Sequence, residues 1–185
     1  RFYKNKGQIQ SGGSPYELST ITTINTVGYA EADLFNLQYA QDADTMYITH
    51  PSYKTTKLTR TGHTAWTITD YAPTGDPFTS TDNYPACVAI YEQRLFFAYT
   101  NTDPQKIWAT KSGNYENMTT GANDDDGLAY TIGSNEVNVI KWLSPGKILL
   151  IGTAGGVFSA SSGSASEPIS PTNIVVRLEN TYGCL

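Results

Sequence analysis

The chain has 185 residues, room for one ordinary domain with a sizeable core, and carries a net charge of −5 from 12 basic and 17 acidic side chains. That balance argues against nucleic acid as the primary ligand, because phosphate recognition needs a basic footprint. With 39% hydrophobic and 16% charged residues it is not a disordered polyelectrolyte, no apolar run approaches the ~20 residues of a membrane-crossing helix, and 13 Tyr with 25 Thr point to β structure.

The chain opens Arg1-Phe2-Tyr3-Lys4 with no initiator Met and no apolar stretch behind it. No signal peptide is read there, and an internal fragment or a processed chain is expected. Ser11-Gly12-Gly13-Ser14-Pro15 reads as a flexible turn, and Glu17 to Val27, rich in Thr and Ile, is compatible with a strand. Ala30 to Leu37 carries the one helical signal, with Glu31 and Asp33 in a first turn where the helix dipole favours acids. One or two turns, a minor helix near 31–37, are expected.

Three stretches then repeat one order of parts. In the first, Leu37–Ala40 meets a polar break at Gln41–Thr45, a second strand over Met46–Thr49, a turn at His50-Pro51, and a third strand over Lys57–Arg60. The second copy is the clearest. Tyr84-Pro85 punctuates the chain, Cys87–Tyr91 is apolar and β-prone, Glu92-Gln93-Arg94 is a short break, and Leu95–Tyr99 is a continuous apolar run of buried-strand length. Asn101-Thr102-Asp103-Pro104 makes the turn. Lys106–Lys111 then alternates, with Ile107 and Ala109 on one face and Lys106, Trp108 and Thr110 on the other. This predicts an inner, drier strand beside an outer, half-wet one. In the third copy, Val137–Leu143 is a strand, Ser144–Lys147 the break, Ile148–Gly152 the match of Leu95–Tyr99, Thr153–Gly156 the turn and Val157–Ala160 the outgoing strand. Ser161–Ser166 reads as a mobile linker, and Ile174–Val176 as a strand.

The spacing between copies is about 50 residues, seen in the pairs Gly62/Gly113, Thr45/Arg94 and Leu95/Ile148. The chain is therefore read as a single all-β, β-rich piece over 1–185 with propeller-like blades of antiparallel strands, in units near 30–82, 83–135 and 136–185. Three blades are too few to close a propeller, so a longer parent, an open array, or a coincidence of all-β spacing are the readings left open. A β-sandwich or barrel is the alternative, since strands every 8–12 residues suit it too.

Candidate chemistry is sparse. Asn123-Asp124-Asp125-Asp126-Gly127 is the one acidic cluster, but an EF-hand register would begin at Ala122, which cannot ligate, so a solvated turn is expected. His50 and His63 lack metal-site spacing and read as surface loop histidines. Cys87 reads as a small buried hydrophobe, and Cys184 lies too far away for a disulfide scaffold. No G-x-S-x-G elbow occurs, and Gly152–Gly156 lacks the Lys-Ser/Thr of a phosphate loop. No pair stands out among the 17 acids as a glycosidase pair. Trp66, Trp108 and Trp142 fall near equivalent places in the repeats or in adjoining strands and read as structural packing; Asn117-Met118-Thr119 fits a glycosylation sequon. No catalytic, cofactor-binding or metal-binding residue is assigned, and the chain is not expected to be an enzyme.

Four long strings, Ala30–Thr69, Tyr84–Thr120, Asp124–Ser161 and Pro168–Cys184, resemble the tail nozzle proteins of short-tailed bacteriophages, also called tail tubular protein B. Residues 1–29 match less well, and Thr20–Gly28 looks like an insertion. Members of that family are longer, so the resemblance implies an internal fragment. It also implies a propeller-bearing structural virion protein that assembles as a homo-oligomeric, hexameric ring below the adaptor. That ring contacts other tail proteins such as adaptor and fibres, meets DNA only in passage through its exit channel, and is made in the host cytoplasm. An acidic channel wall would suit DNA that must slide without sticking. The rival expectation is a carbohydrate-binding or carbohydrate-degrading, receptor-interacting tail protein; a cellular propeller scaffold is a third.

Overall fold

In the computed structural model, residues 8–11, 14–17, 28–62, 65–133, 138–164 and 166–184 are described. A short hairpin, β1 (Gln8–Ser11) with β2 (Ser14–Glu17), stands as its own two-stranded sheet. The reading of a strand from Glu17 onward falls outside the described residues after Glu17.

Three four-stranded antiparallel sheets follow, each a meander whose strands lie in chain order. Blade 1 is β3 (Gln38–Asp42), β4 (Thr45–His50), β5 (Tyr53–Gly62) and β6 (Ala65–Asp70). Blade 2 is β7 (Cys87–Tyr91), β8 (Arg94–Ala98), β9 (Lys106–Ala109) and β10 (Leu128–Thr131). Blade 3 is β11 (Ile140–Pro145), β12 (Leu149–Thr153), β13 (Gly156–Ser162) and β14 (Ile174–Asn180). None closes into a barrel. The sheets approach one another chiefly through their first strands, β3 against β7 and β7 against β11, which is the propeller-like arrangement. The Gln38 side chain even reaches past blade 2 to donate to the Lys141 carbonyl of β11, at 2.8 Å.

Burial follows from strand alternation. In blade 2, Val88, Leu95, Phe97 and Trp108 turn to blade 1 and pack with Tyr47, Tyr71, Phe78 and Met118. The alternate residues Cys87, Ala89, Phe96, Ala98, Ile107 and Ala109 turn to blade 3 and pack with Ile140, Leu149, Ile151, Phe158 and Ala160. Both faces of β8 are covered, so Leu95 to Ala98 must be apolar throughout. Each such side chain removed from water contributes about 1.5–3 kcal/mol. Ile48, Phe96 and Leu149 thus all sit buried on the second strand of their sheets.

Thr45 and Arg94 hold equivalent places: each opens a second strand and pairs with the last residue of the first, Asp42 and Tyr91 respectively. The third repeat is displaced from the sequence reading by one residue. Its first turn holds three residues, Gly146 to Ile148, where the others hold two, and Pro145 pairs with Leu149. Leu149 rather than Ile148 therefore matches Leu95 and faces the preceding blade. A one-residue slip in a strand exchanges its two faces.

Other expectations are corrected. The outer strand β9 is not half-wet: β10 flanks it, and Ile107, Trp108 and Ala109 are buried. Ser161 and Ser162 are strand residues, not linker. The three tryptophans lie on three different strands of their blades, fourth for Trp66, third for Trp108, first for Trp142. The expected minor helix, by contrast, is present as a short 3-10 segment, Glu31–Asn36, and none of its residues is buried.

Candidate functional site

The polar feature with the most structure is the acidic loop after β9, and it is organised by Arg94. This arginine opens an otherwise apolar strand and is 1% exposed. Its Nη1 donates to the carbonyls of Thr110 (2.8 Å) and Asp126 (2.6 Å), and its Nη2 to the carbonyl of Asp124. Burial pushes its pKa down, while Asp125, Glu92, Asp126 and Asp124 push it back up; a guanidinium stays charged through such a contest.

The loop is not a merely solvated turn. Asp126 is 7% exposed and accepts from Lys111 Nζ at 2.6 Å and from the backbone N–H and Nδ2 of Asn123, each at 3.0 Å. The bond from Lys111, then those from Asn123, hold its carboxyl below the ordinary value. A Cβ on Gly121 would sit 2.0 Å from Asp126 Oδ2, so only glycine lets the loop close on this carboxylate. Asp126 is fully engaged, which removes it as a cation ligand. Among the described residues no group of three His, Cys, Asp or Glu side chains is placed to hold a metal ion.

The loop and the turn between β7 and β8 together tie blade 2 to blade 3. Thr172 Oγ1 donates to Asp124 Oδ1 at 3.3 Å, and the Ile169 N–H donates to Glu92 Oε2 at 2.6 Å. Beside these ties lies a cleft of about 260 Å³ between the rims of the two blades, lined by Thr120, Gly121, Leu128, Tyr130, Pro171 and Ile174. Its side-chain hydroxyls belong to Thr120 and Tyr130, and no carboxylate, imidazole or thiol lines it. It offers apolar contact and hydroxyl hydrogen bonds, with no acid–base pair.

His50 is not a surface loop residue: it ends β4 at 6% exposure. Its Nδ1 accepts from the Ser52 N–H at 3.2 Å, its Nε2 lies 3.9 Å from Asp33 Oδ1, and its ring packs at 5.0 Å on Tyr53. Tyr53 donates its hydroxyl to Asp33 at 2.7 Å and accepts from the Ala30 N–H at 3.1 Å, and Tyr29 Oη lies 2.9 Å from Thr56 Oγ1. Segment 29–33 is thereby strapped over the side of blade 1 that faces away from blade 2. His63 lies outside the described residues. Cys87 is fully buried, and burial raises its thiol to about 12, so it packs as a small hydrophobe; Cys184 is also a free thiol. Asn117 caps its own turn, accepting from the Thr119 N–H at 2.9 Å, while the sequon's Met118 is buried.

The sequence offered two unused signals here: a lone charged residue heading a wholly apolar strand, and a histidine next to an aromatic-rich strand end. Among the described residues no helix is long and apolar enough to cross a membrane. No protein-family model matches this chain, and no curated protein matches it either.

Proposed function

We propose that this chain is part of a structural protein of a bacteriophage tail, in which tandem blades build a portion of the nozzle through which DNA leaves. The observation that carries the reading is the run of three meander sheets stacked through two continuous side-chain interfaces, together with the four long strings that resemble nozzle proteins. In this reading the ordered loops serve blade-to-blade cohesion, as the Arg94 cage and the Glu92 and Thr172 ties do. The intact protein forms a homo-oligomeric, hexameric ring in the virion, joined to adaptor and fibre proteins, and contacts DNA only in transit. The net negative charge suits a wall that must not hold phosphate. Electron microscopy of the intact protein at assembly-level concentration tests the proposal. Ring-shaped particles are the expected result; monomers throughout overturn it.

A further inference from the structure

Blades 2 and 3 each take the preceding blade on one face, blade 2 with Leu95, Phe97 and Trp108 and blade 3 with Leu149, Ile151 and Phe158. Blade 1 has the corresponding face. With Thr45 and Arg94 equivalent, its Ile48 takes the place of Phe97, and alternation and strand pairing put His50, Thr56 and Leu58 on the same side. All four are buried. Among the described residues it is a strap of the chain itself, residues 29–36, that lies over this face.

The strap is held by polar groups that converge on one side chain. The Tyr53 hydroxyl donates to Asp33 Oδ2 at 2.7 Å and accepts from the Ala30 N–H at 3.1 Å. Its ring meets those of Tyr29 and His50, each at 5.0 Å. No residue of the 3-10 segment is buried, no side chain caps its start, and its apolar Leu34 and Phe35 turn outward, at 44% and 98% exposure. A segment with so little buried apolar surface belongs to the least stable part of a fold. Lifting it exchanges hydrogen bonds within the protein for hydrogen bonds to water, which nearly balance. Ile48 and Leu58 are the apolar surface that lifting uncovers, and they keep the strap down most of the time. We infer that this strap is a lid. It opens as a unit about the residues that join it to β3 while the three blades stay folded, and Tyr53 is the pin that holds it shut over blade 1. The inference stands on the strap's contacts alone and does not rest on a place in a virion.

Native-state hydrogen exchange of the 185-residue chain in sub-denaturing urea, read amide by amide, tests it. The reporters are the Ala30 N–H on Tyr53 and the Asp33 N–H on the Ala30 carbonyl, set against the strand amides of β4 and β5. In the wild-type chain the strap amides should exchange through an opening at least about a hundredfold more populated than that of the strands, with a far smaller dependence on urea. Tyr53→Phe removes both hydroxyl bonds and should raise that opening by about tenfold. Asp33→Ala removes one of them and should raise it less; it carries the test if the Tyr53→Phe chain does not fold. Phe35→Ala should leave the opening unchanged, because that ring is left in water. Strap amides that share the opening and urea dependence of β4 and β5 overturn the inference. So does an opening that neither Tyr53→Phe nor Asp33→Ala raises, or one that Phe35→Ala raises as much as Tyr53→Phe does.

Discussion

The two interfaces of the molecule solve the same packing problem with different chemistry. Between blades 2 and 3 the contact is aliphatic and dry, with Cys87, Ala98, Ile107, Ala109, Ile140, Leu149, Ile151 and Ala160 around Phe96, all at 0–1% exposure. Between blades 1 and 2 it is aromatic and carries polar groups to its edge. Tyr47 meets Tyr71 edge-on at 5.4 Å, Phe78 meets Trp108 at 5.1 Å, and Lys57 pairs with Glu116 at 2.8 Å. The Tyr71 hydroxyl donates to the Tyr115 carbonyl, and Thr49 Oγ1 donates to the Ala86 carbonyl at 2.9 Å. The difference teaches that the centre of one interface is filled by aliphatic volume, with its hydrogen bonds at the rim through Glu92 and Asp124, while ring geometry sets the centre of the other, so they should fail under different insults.

The largest effect is expected from Phe96→Ala, which opens a cavity in the dry interface and should cost about 3–5 kcal/mol in urea unfolding; the comparison breaks if the loss is under about 1 kcal/mol. Arg94→Met comes next. It strands the carbonyls of Thr110, Asp124 and Asp126 and should cost about 3 kcal/mol, whereas a loss within experimental error would mean that water replaces the guanidinium.

The aromatic interface should show itself in alkali. Burial first, and then the charge of Glu116, raises the pKa of both Tyr47 and Tyr71 above the ordinary value of 10.0. A raised folded value means that the stabilisation is complete below pH 10 and is lost as pH climbs toward the folded values. The decline should steepen by up to about 1.4 kcal/mol per pH unit for each tyrosine. Tyrosinate absorbance followed alongside unfolding checks this, and Glu116→Gln should move the transition to higher pH stability rather than leave it fixed.

The acid limb reports on the loop. Asp126 is held below its ordinary value of 3.8, so its contribution is present above that value and is lost as pH falls through the lower folded one. Asp126→Asn should flatten this limb in thermal melts taken across the acid range; an unchanged slope would remove Asp126 from the account.

The smallest effect, and the one gain, is at the first turn of blade 2. Glu92 and Gln93 both lie in the left-handed region, at φ 46° and 59°, in a two-residue turn that favours Asn-Gly. Gln93→Gly should add about 0.5–1 kcal/mol. Glu92→Gly should gain less, because it also deletes the carboxylate that receives the Ile169 N–H.

How much of this was legible in the sequence depends on how each strand is wetted. The run from Leu95 to Ala98 was plain because both its faces are covered. The fourth strands of blades 1 and 2 were not: Ala65–Asp70 lies at a wet outer edge, and Leu128–Thr131 is short and follows a long excursion from Ala109. The register of blade 3 was missed by one residue because Ser144-Pro145 looks like a break, yet both residues pair in β11, opposite Leu150 and Leu149. Arg94 read as part of a polar turn because its partners are backbone carbonyls, which no side-chain pattern announces. His50 read as a loop residue because Pro51 follows it, and the strap that covers it, through Asp33, comes from well before it in the chain.

One contact sets the scale of the space at the centre of the fold. Gln38 of the innermost strand of blade 1 bonds to the carbonyl of Lys141 in that of blade 3. Strands that one amide side chain can bridge enclose no bore: a duplex is several times wider than that span. Among the described blades, the inner edges are therefore joined by side chains and leave no passage between them.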